Sequence, residues 1–245
     1  MATTTIGLHT KAAPAGWARA AAWLVAGVFL ALAAADWIAY LAQPDRSLAA
    51  VDYRLYMDAT ARWLAGGPYF EPWQLTGPYG MDRLPILYPP TALPLFAVFT
   101  VLPAVLWWAV PIGGTAVIVA RYRPSALAWA GIAVCLWFPA TSVKVLTGNP
   151  VLWAVLAVAC GTRWGWPGAL ALVKPSLFPF ALVGVRTRGW WVAMALTAAA
   201  FAVMAPLTLE WVTALLNSRG GGLLYSVQEA PLMAVPVLAW AGRRR

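Results

Sequence analysis

Proton transfer in this 245-residue chain has 8 acids and 1 histidine to draw on, and the histidine, His9, stands alone in the leading tail. Any chemistry here must therefore use carboxylates and bases. Two carboxylates fall in one stretch, VDYRLYMDA, at residues 51–59. Placed on a helix, Asp58 has Arg54 one turn before it and Arg62 one turn after it, so its charge finds partners on its own face. Asp52 has Leu48, Ala49, Leu55 and Tyr56 at the corresponding positions and no base among them. It is the freer carboxylate and the candidate general base, a role that contributes about 10² to 10⁴ in rate. Asp52 also opens a helical pattern, where an Asp serves as an N-cap for the orphan N–H groups of the first turn. The two roles are compatible, because a capping carboxylate keeps a lone pair.

The cations point to anion chemistry. Lys174 lies within WPGALALVKPSLFPFALVGV, and a charge deep in such a run costs several kcal/mol unless it reaches water or a partner. Either it snorkels to an interface or it makes an anion site at the tip of a broken helix pair. Lys144 and Arg219 fall in outer segments and Arg83 sits close to the YPP turn, so all four are candidates for a phosphate. Tyr53, Tyr56, Trp63, Tyr69, Phe70, Trp73 and Tyr79 suit anchoring at a lipid–water boundary, and equally stacking on sugar rings. In LYPPTALP, Tyr88 before two prolines fixes a rigid extended segment and a groove wall. There is no phosphate-cradling glycine loop, no dinucleotide fingerprint and no histidine for a triad. Cys135 and Cys160 sit in apolar runs without metal-ligand spacing, so neither a disulfide framework nor a zinc site is expected.

The elements that hold these residues follow from composition. Of the residues 62% are hydrophobic and 16 are Trp, with mean hydropathy +0.72, well outside the range of soluble domains. Apolar runs of about 20 residues follow one another and no segment alternates as a barrel strand does, so a single all-α integral membrane domain over 1–245 is expected. The net charge of +9 comes from bases scattered between the runs, which reads as topology and not as a nucleic-acid patch. Lys11 and Arg19 hold the N-terminus in the cytoplasm, ahead of a retained first span at roughly residues 20 to 42. A large extracytoplasmic loop at about 43–85 follows, with a helix at roughly 51–65. It carries Asp45, Asp52, Asp58, Glu71 and Asp82.

Further on, an interfacial or re-entrant piece is expected near 87–102 and spans near 104–120, 125–143 and 150–162. The stretch 166–185 has bases on both flanks and a Lys174–Pro175 break, which predicts half-helices that dip and return. A span near 190–209, a second outer loop at about 210–230 and a short last segment near 231–241 complete about six to eight membrane segments.

The ordered set VDYRLYMDATARWLAGGPYF, LYPPTALPLFAVFTVLP, LTGNPVLWAVLAVACG and WPGALALVKPSLFPF resembles membrane glycosyltransferases of the GT-C fold. More narrowly it is similar to the branch of polyprenyl-phosphomannose-dependent mannosyltransferases and arabinofuranosyltransferases. That resemblance implies an inverting transfer of mannose or arabinofuranose from a polyprenyl-phosphate donor to a glycolipid or cell-envelope glycan at the extracytoplasmic face of the plasma membrane. It puts the family's base at Asp52, its Gly-Gln/Asn element at Gly148–Asn149 and its Lys-Pro element at Lys174–Pro175. Lys174, Lys144, Arg83 and Arg219 are the candidate phosphate-binding residues, and Tyr56, Asp58, Tyr69, Tyr88 and Asn149 the candidate cavity residues. No metal ligand set is expected, and a divalent ion is left open, as are the sugar and the acceptor. Two other classes share the composition: a transporter or flippase of lipid-linked sugars, and an inactive or accessory homologue, since the chain is shorter than usual members. Transporters place ionisable groups at mid-membrane on inverted repeats, whereas these acids gather in the outer loops and no repeat is visible.

Overall fold

The computed structural model describes residues 16–42, 48–218 and 222–244, so Lys11, Asp45 and Arg219 lie outside the described residues. In chain order the helices are α1 (Gly16–Leu41), α2 (Val51–Leu64), α3 (Pro72–Leu75), α4 (Leu93–Phe99), α5 (Leu106–Tyr122) and α6 (Ala126–Trp137). They continue with α7 (Pro139–Thr147), α8 (Val151–Trp164), α9 (Phe178–Ala181), α10 (Arg188–Val203), α11 (Ala205–Asn217) and α12 (Ala230–Ala241). Short 3₁₀ turns join several of them. No strand occurs among the described residues, which carry only the isolated bridges Tyr79–Ser218 and Pro124–Arg243. The fold is all-helical and compatible with a helical membrane protein.

Helix α1, of 26 residues, is the one described helix that is by itself long and apolar enough to cross a membrane. Only Ala26 and Ala33 are buried on it, and Phe29 meets Trp137 of α6 with ring centroids 5.1 Å apart. Small residues at the seam let the two helices approach while the bulky apolar side chains of α1 face outward. Two further apolar stretches pass the same test only as bent pairs, α6 with α7 at 63° and α10 with α11 at 90°.

The spans expected near 125–143 and 190–209 are thus each bent at a break. Pro139 and Pro206 lack the N–H that would continue the ladder, and each opens a new helix at its first turn. A carbonyl freed at each break is bonded locally by a threonine hydroxyl. Thr141 Oγ1 donates to Cys135 O at 2.8 Å, and Thr208 Oγ1 donates to Phe201 O and Met204 O, each at 3.0 Å. A threonine two residues after each proline thus closes the corner it opens.

The stretch 166–185 folds back on itself, through 3₁₀ turns (Trp166–Val173, Pro175–Leu177) and the four-residue α9 instead of the expected α half-helices. Pro167, Pro175 and Pro179 interrupt any longer helix. Its two legs touch: a Cβ on Gly168 would run into Val183 O, and one on Gly184 into Gly165 O. Lys174 stands at the break, with φ −124° and ψ 79°.

The loop over 72–88 is held down by buried polar contacts to α11. Gln74 is fully buried, donates Nε2 to Ile86 O at 2.9 Å and accepts Ile86 N on Oε1 at 3.3 Å. Tyr79 donates to Ala214 O at 2.6 Å, Asn217 Nδ2 to Gln74 O at 2.9 Å, and Trp211 Nε1 to Leu87 O at 3.0 Å. Each bond satisfies a backbone group that the irregular loop leaves unpaired. The loop is thereby fixed, with Tyr88 at its end.

Helix α2 forms where expected, but two local readings change. Its N-cap is Ala50, in a left-handed conformation at φ 58°, and no side chain caps the helix, so Asp52 is not the cap. Ala50 N instead bonds Leu146 O of α7 at 2.9 Å, which ties the start of α2 to the end of α7. Nor do Arg54 and Arg62 pair with Asp58, which is exposed and makes no ion pair among the described residues. Arg62 turns to Glu71 at 2.7 Å and donates to Pro68 O at 2.7 Å and Tyr69 O at 3.0 Å. The turn at Gly66–Gly67 brings residues 68–71 back along α2, and this denser set of acceptors outcompetes a solvated carboxylate.

Candidate functional site

The end of α7 builds one half of the site. Gly148, at φ +70°, and Asn149 close the helix with a Schellman pair: Gly148 N to Val145 O at 3.2 Å and Asn149 N to Lys144 O at 2.9 Å. A Cβ on Gly148 would lie 2.5 Å from Trp108 Cζ2 and 2.9 Å from Tyr53 Cβ, so glycine is required by space as well as by backbone. Trp107 Nε1 donates to Gly148 O and Trp108 Nε1 to Val145 O, each at 2.7 Å. Gly148→Ala is expected to combine about 1–3 kcal/mol of left-handed strain with a similar overpacking cost. A sharply lowered melting temperature of the detergent-purified protein checks this.

Into this corner projects Asp52 from the first turn of α2. Its Oδ2 accepts Thr147 Oγ1 and Asn149 Nδ2, both at 2.7 Å. The orientation of Asn149 is fixed by its other atom: Oδ1 accepts Val151 N at 3.0 Å, and a backbone N–H only donates. Tyr88 O–H therefore donates to the same Oδ1, at 2.7 Å. Because Oδ2 of Asp52 already holds two donors, Oδ1 is the atom left to take up a proton. Among the described residues Oδ1 accepts no hydrogen bond.

The other half is cationic. Lys174 is 3% exposed and Glu229 1%. Lys174 Nζ lies 2.9 Å from Glu229 Oε2 and 3.1 Å from Oε1, and Lys144 Nζ lies 3.1 Å from Oε1. Two ammonium groups thus share one carboxylate, and charges of +1, +1 and −1 leave the group at +1. Lys174 reaches a partner inside the protein and does not snorkel to an interface. Tyr88 joins the halves, since the Lys174 ammonium sits 4.6 Å from its ring centroid while its hydroxyl holds Asn149.

Of the remaining sequence candidates, Tyr56 packs edge-on against Tyr88 at 5.1 Å and so backs the site. Tyr69 is fully buried against Phe70, and burial pushes its phenol far up, with Arg62 nearby opposing. Arg83 stands 5.7 Å over the Trp73 ring, on the rim of a separate hollow of about 390 Å³ in the loop over 72–88. Asp58 stays on the outer face of α2. Thr147 and Glu229 join the site without having been singled out in the sequence. Thr147 sits next to the Gly-Asn element, a signal within reach; Glu229 is 55 residues from Lys174 and has no local mark.

Behind Tyr88 and Lys174 runs an apolar trough of about 680 Å³, lined among others by Leu95, Trp153, Leu172, Val173 and Leu196. It follows the return stretch 166–173 between α8 and α10. Among the described residues no three His, Cys, Asp or Glu side chains gather as a metal site. Chemically the arrangement offers a carboxylate with one oxygen held and one available, a net-positive group linked to it through Tyr88, and an apolar trough whose lining includes Val173, the residue before Lys174.

No protein-family model matches the chain, and neither a curated protein nor a solved structure does.

Proposed function

We propose that the chain is an inverting glycosyltransferase of the GT-C type, a multi-pass plasma-membrane enzyme with a cytoplasmic N-terminus and an extracytoplasmic site. It moves a sugar, mannose or arabinofuranose, from a polyprenyl-phosphate donor to a glycolipid or cell-envelope glycan. The single observation that carries the reading is Asp52, with Oδ2 pinned by Thr147 and Asn149 and Oδ1 available, set through Tyr88 beside the Lys144–Glu229–Lys174 group.

In this reading the prenyl chain lies in the trough, whose lining includes Val173, and its phosphate meets the adjacent Lys174. Asp52 Oδ1 accepts the proton of the acceptor hydroxyl as that oxygen bonds the anomeric carbon. The bond from the anomeric carbon to the phosphate oxygen breaks, and its electron pair leaves with polyprenyl phosphate. Attack and departure on opposite faces invert the configuration, by the logic of the base carboxylate in inverting glycosidases. No general acid is needed, because the leaving phosphate is a stable anion whose added charge the two lysines stabilise.

The test is transfer itself. Purified protein in proteoliposomes is given polyprenyl phosphate bearing radiolabelled mannose or arabinose together with envelope glycolipid, and label is expected in the glycolipid fraction with inverted linkage. Label that crosses the bilayer while still on the donor would instead identify a flippase. Label that neither transfers nor crosses would remove the catalytic reading.

A further inference from the structure

Glu229 is the one acid in the cationic group, and it arrives from a separate element. The 3₁₀ turn Gly222–Glu229 leads into α12 and lies against Pro175–Leu177 and α7, the elements that flank the two lysines. In a 3₁₀ helix side chains three apart eclipse, so Ser226 and Glu229 share a face. Both are buried, at 0% and 1% exposure, and that face is turned inward. Among the described residues Ser226 Oγ has no hydrogen-bond partner. A hydroxyl taken from water without replacement weakens the seat of the turn, while the Glu229 carboxylate is what holds it down.

The carboxylate and a phosphate oxygen pair offer the lysines the same chemistry: a divided negative charge accepting from two ammonium groups. Removing the carboxylate would strip the buried Lys174 ammonium and the half-buried Lys144 of the anion they share, whereas exchanging one anion for another keeps both charges compensated. We infer that Glu229 is an internal stand-in for the substrate phosphate, and that the turn Ser226–Glu229 is a gate that a prenyl phosphate displaces when it takes the two lysines. The inference rests on the phosphate site proposed above and adds its regulation: the site is self-occupied at rest and opens to an anion that carries its own apolar tail. A prenyl alcohol fills the trough without opening the gate.

The experiment uses the full chain in detergent with Cys135→Ala and Cys160→Ala, which remove the two native thiols, and Ser226→Cys as a near-isosteric reporter. Maleimide modification of the reporter is followed with farnesyl phosphate, with farnesol and with neither, and farnesyl phosphate binding is measured separately by equilibrium dialysis. Slow modification at rest that rises about tenfold or more with farnesyl phosphate, and stays slow with farnesol, is the expected result. Farnesyl phosphate that binds, and binds less well to Lys174→Gln, yet leaves the rate unchanged would overturn the gate and leave the phosphate site standing. Absent binding, or binding indifferent to Lys174→Gln, would overturn the site and the gate together. Fast modification at rest, or an equal rise with farnesol, overturns the gate as well.

Discussion

Asp52→Asn is expected to lower sugar transfer by about 10² to 10⁴ with little change in folding, the range lost when a positioned base is removed. The substitution preserves shape. Thr147 and Asn149 both donate to one oxygen of Asp52, and the amide oxygen of Asn can take that place with its NH₂ turned to the position of the free Oδ1. No buried donor loses its acceptor, so the melting temperature stays near that of the parent. What disappears is the atom that receives the acceptor's proton. The fall therefore shows in kcat and kcat/KM alike, as for an interaction made only in the transition state. Near wild-type transfer by purified Asp52→Asn protein would sink the assignment.

Lys174→Gln is expected to reduce kcat/KM by about 10² to 10³, comparable to removing one donor from a developing oxyanion. The net charge of the group falls from +1 to 0, since Lys144 and Glu229 remain as a pair. The donor phosphate is a diester with one negative charge, and the departing monoester gains a second. A lysine beside it favours the state with more charge, so kcat drops further than KM rises. Glu229 keeps Lys144 as a partner, which limits the loss of stability below that of a fully orphaned buried carboxylate. Lys174→Arg is expected to rescue poorly, because a planar fork does not fit a 3%-exposed site shaped for a point charge over the Tyr88 ring. Steady-state kinetics on both variants, beside their melting curves, decide the matter. Unchanged kcat in a folded Lys174→Gln protein would remove the lysine from the mechanism.

How far the sequence carries differs by element, for physical reasons. Helix α2 was legible because its polar and apolar residues alternate with a helical period, and the chain turns where Gly66 and Gly67 permit it. Gly148–Asn149 was picked out only by its match to the Gly-Gln/Asn element of the resembled family, while its left-handed helix cap became visible in the structure. The corners at Phe138 and Met204 were obscured by hydropathy, which stays high across Pro139 and Pro206 and suggests a continuous span. The prolines were visible, but a proline at a helix start and one within a kinked span read alike until geometry separates them. Arg62 was misassigned because spacing along one helix ignores acceptors that a turn folds back onto it, here Glu71 and two carbonyls. The pairing of Glu229 with both lysines depends on three elements meeting, and no local pattern encodes that.

The lengths of the helices also bear on the bilayer itself. At about 1.5 Å per residue, α1 with its 26 residues rises some 39 Å, whereas α6, α8 and α12, of 12, 14 and 12 residues, rise only about 18 to 21 Å. A hydrocarbon core is about 30 Å thick, so on the proposed multi-pass reading these three helices are shorter than the layer that α1 matches. Lipids answer a short apolar wall by thinning. At the two corners the Thr141 and Thr208 hydroxyls bond Cys135 O and Phe201 O, so those two carbonyls do not need water. On the proposed reading, a headgroup layer drawn inward around the short helices would shorten the way of a lipid-borne phosphate to Lys144 and Lys174.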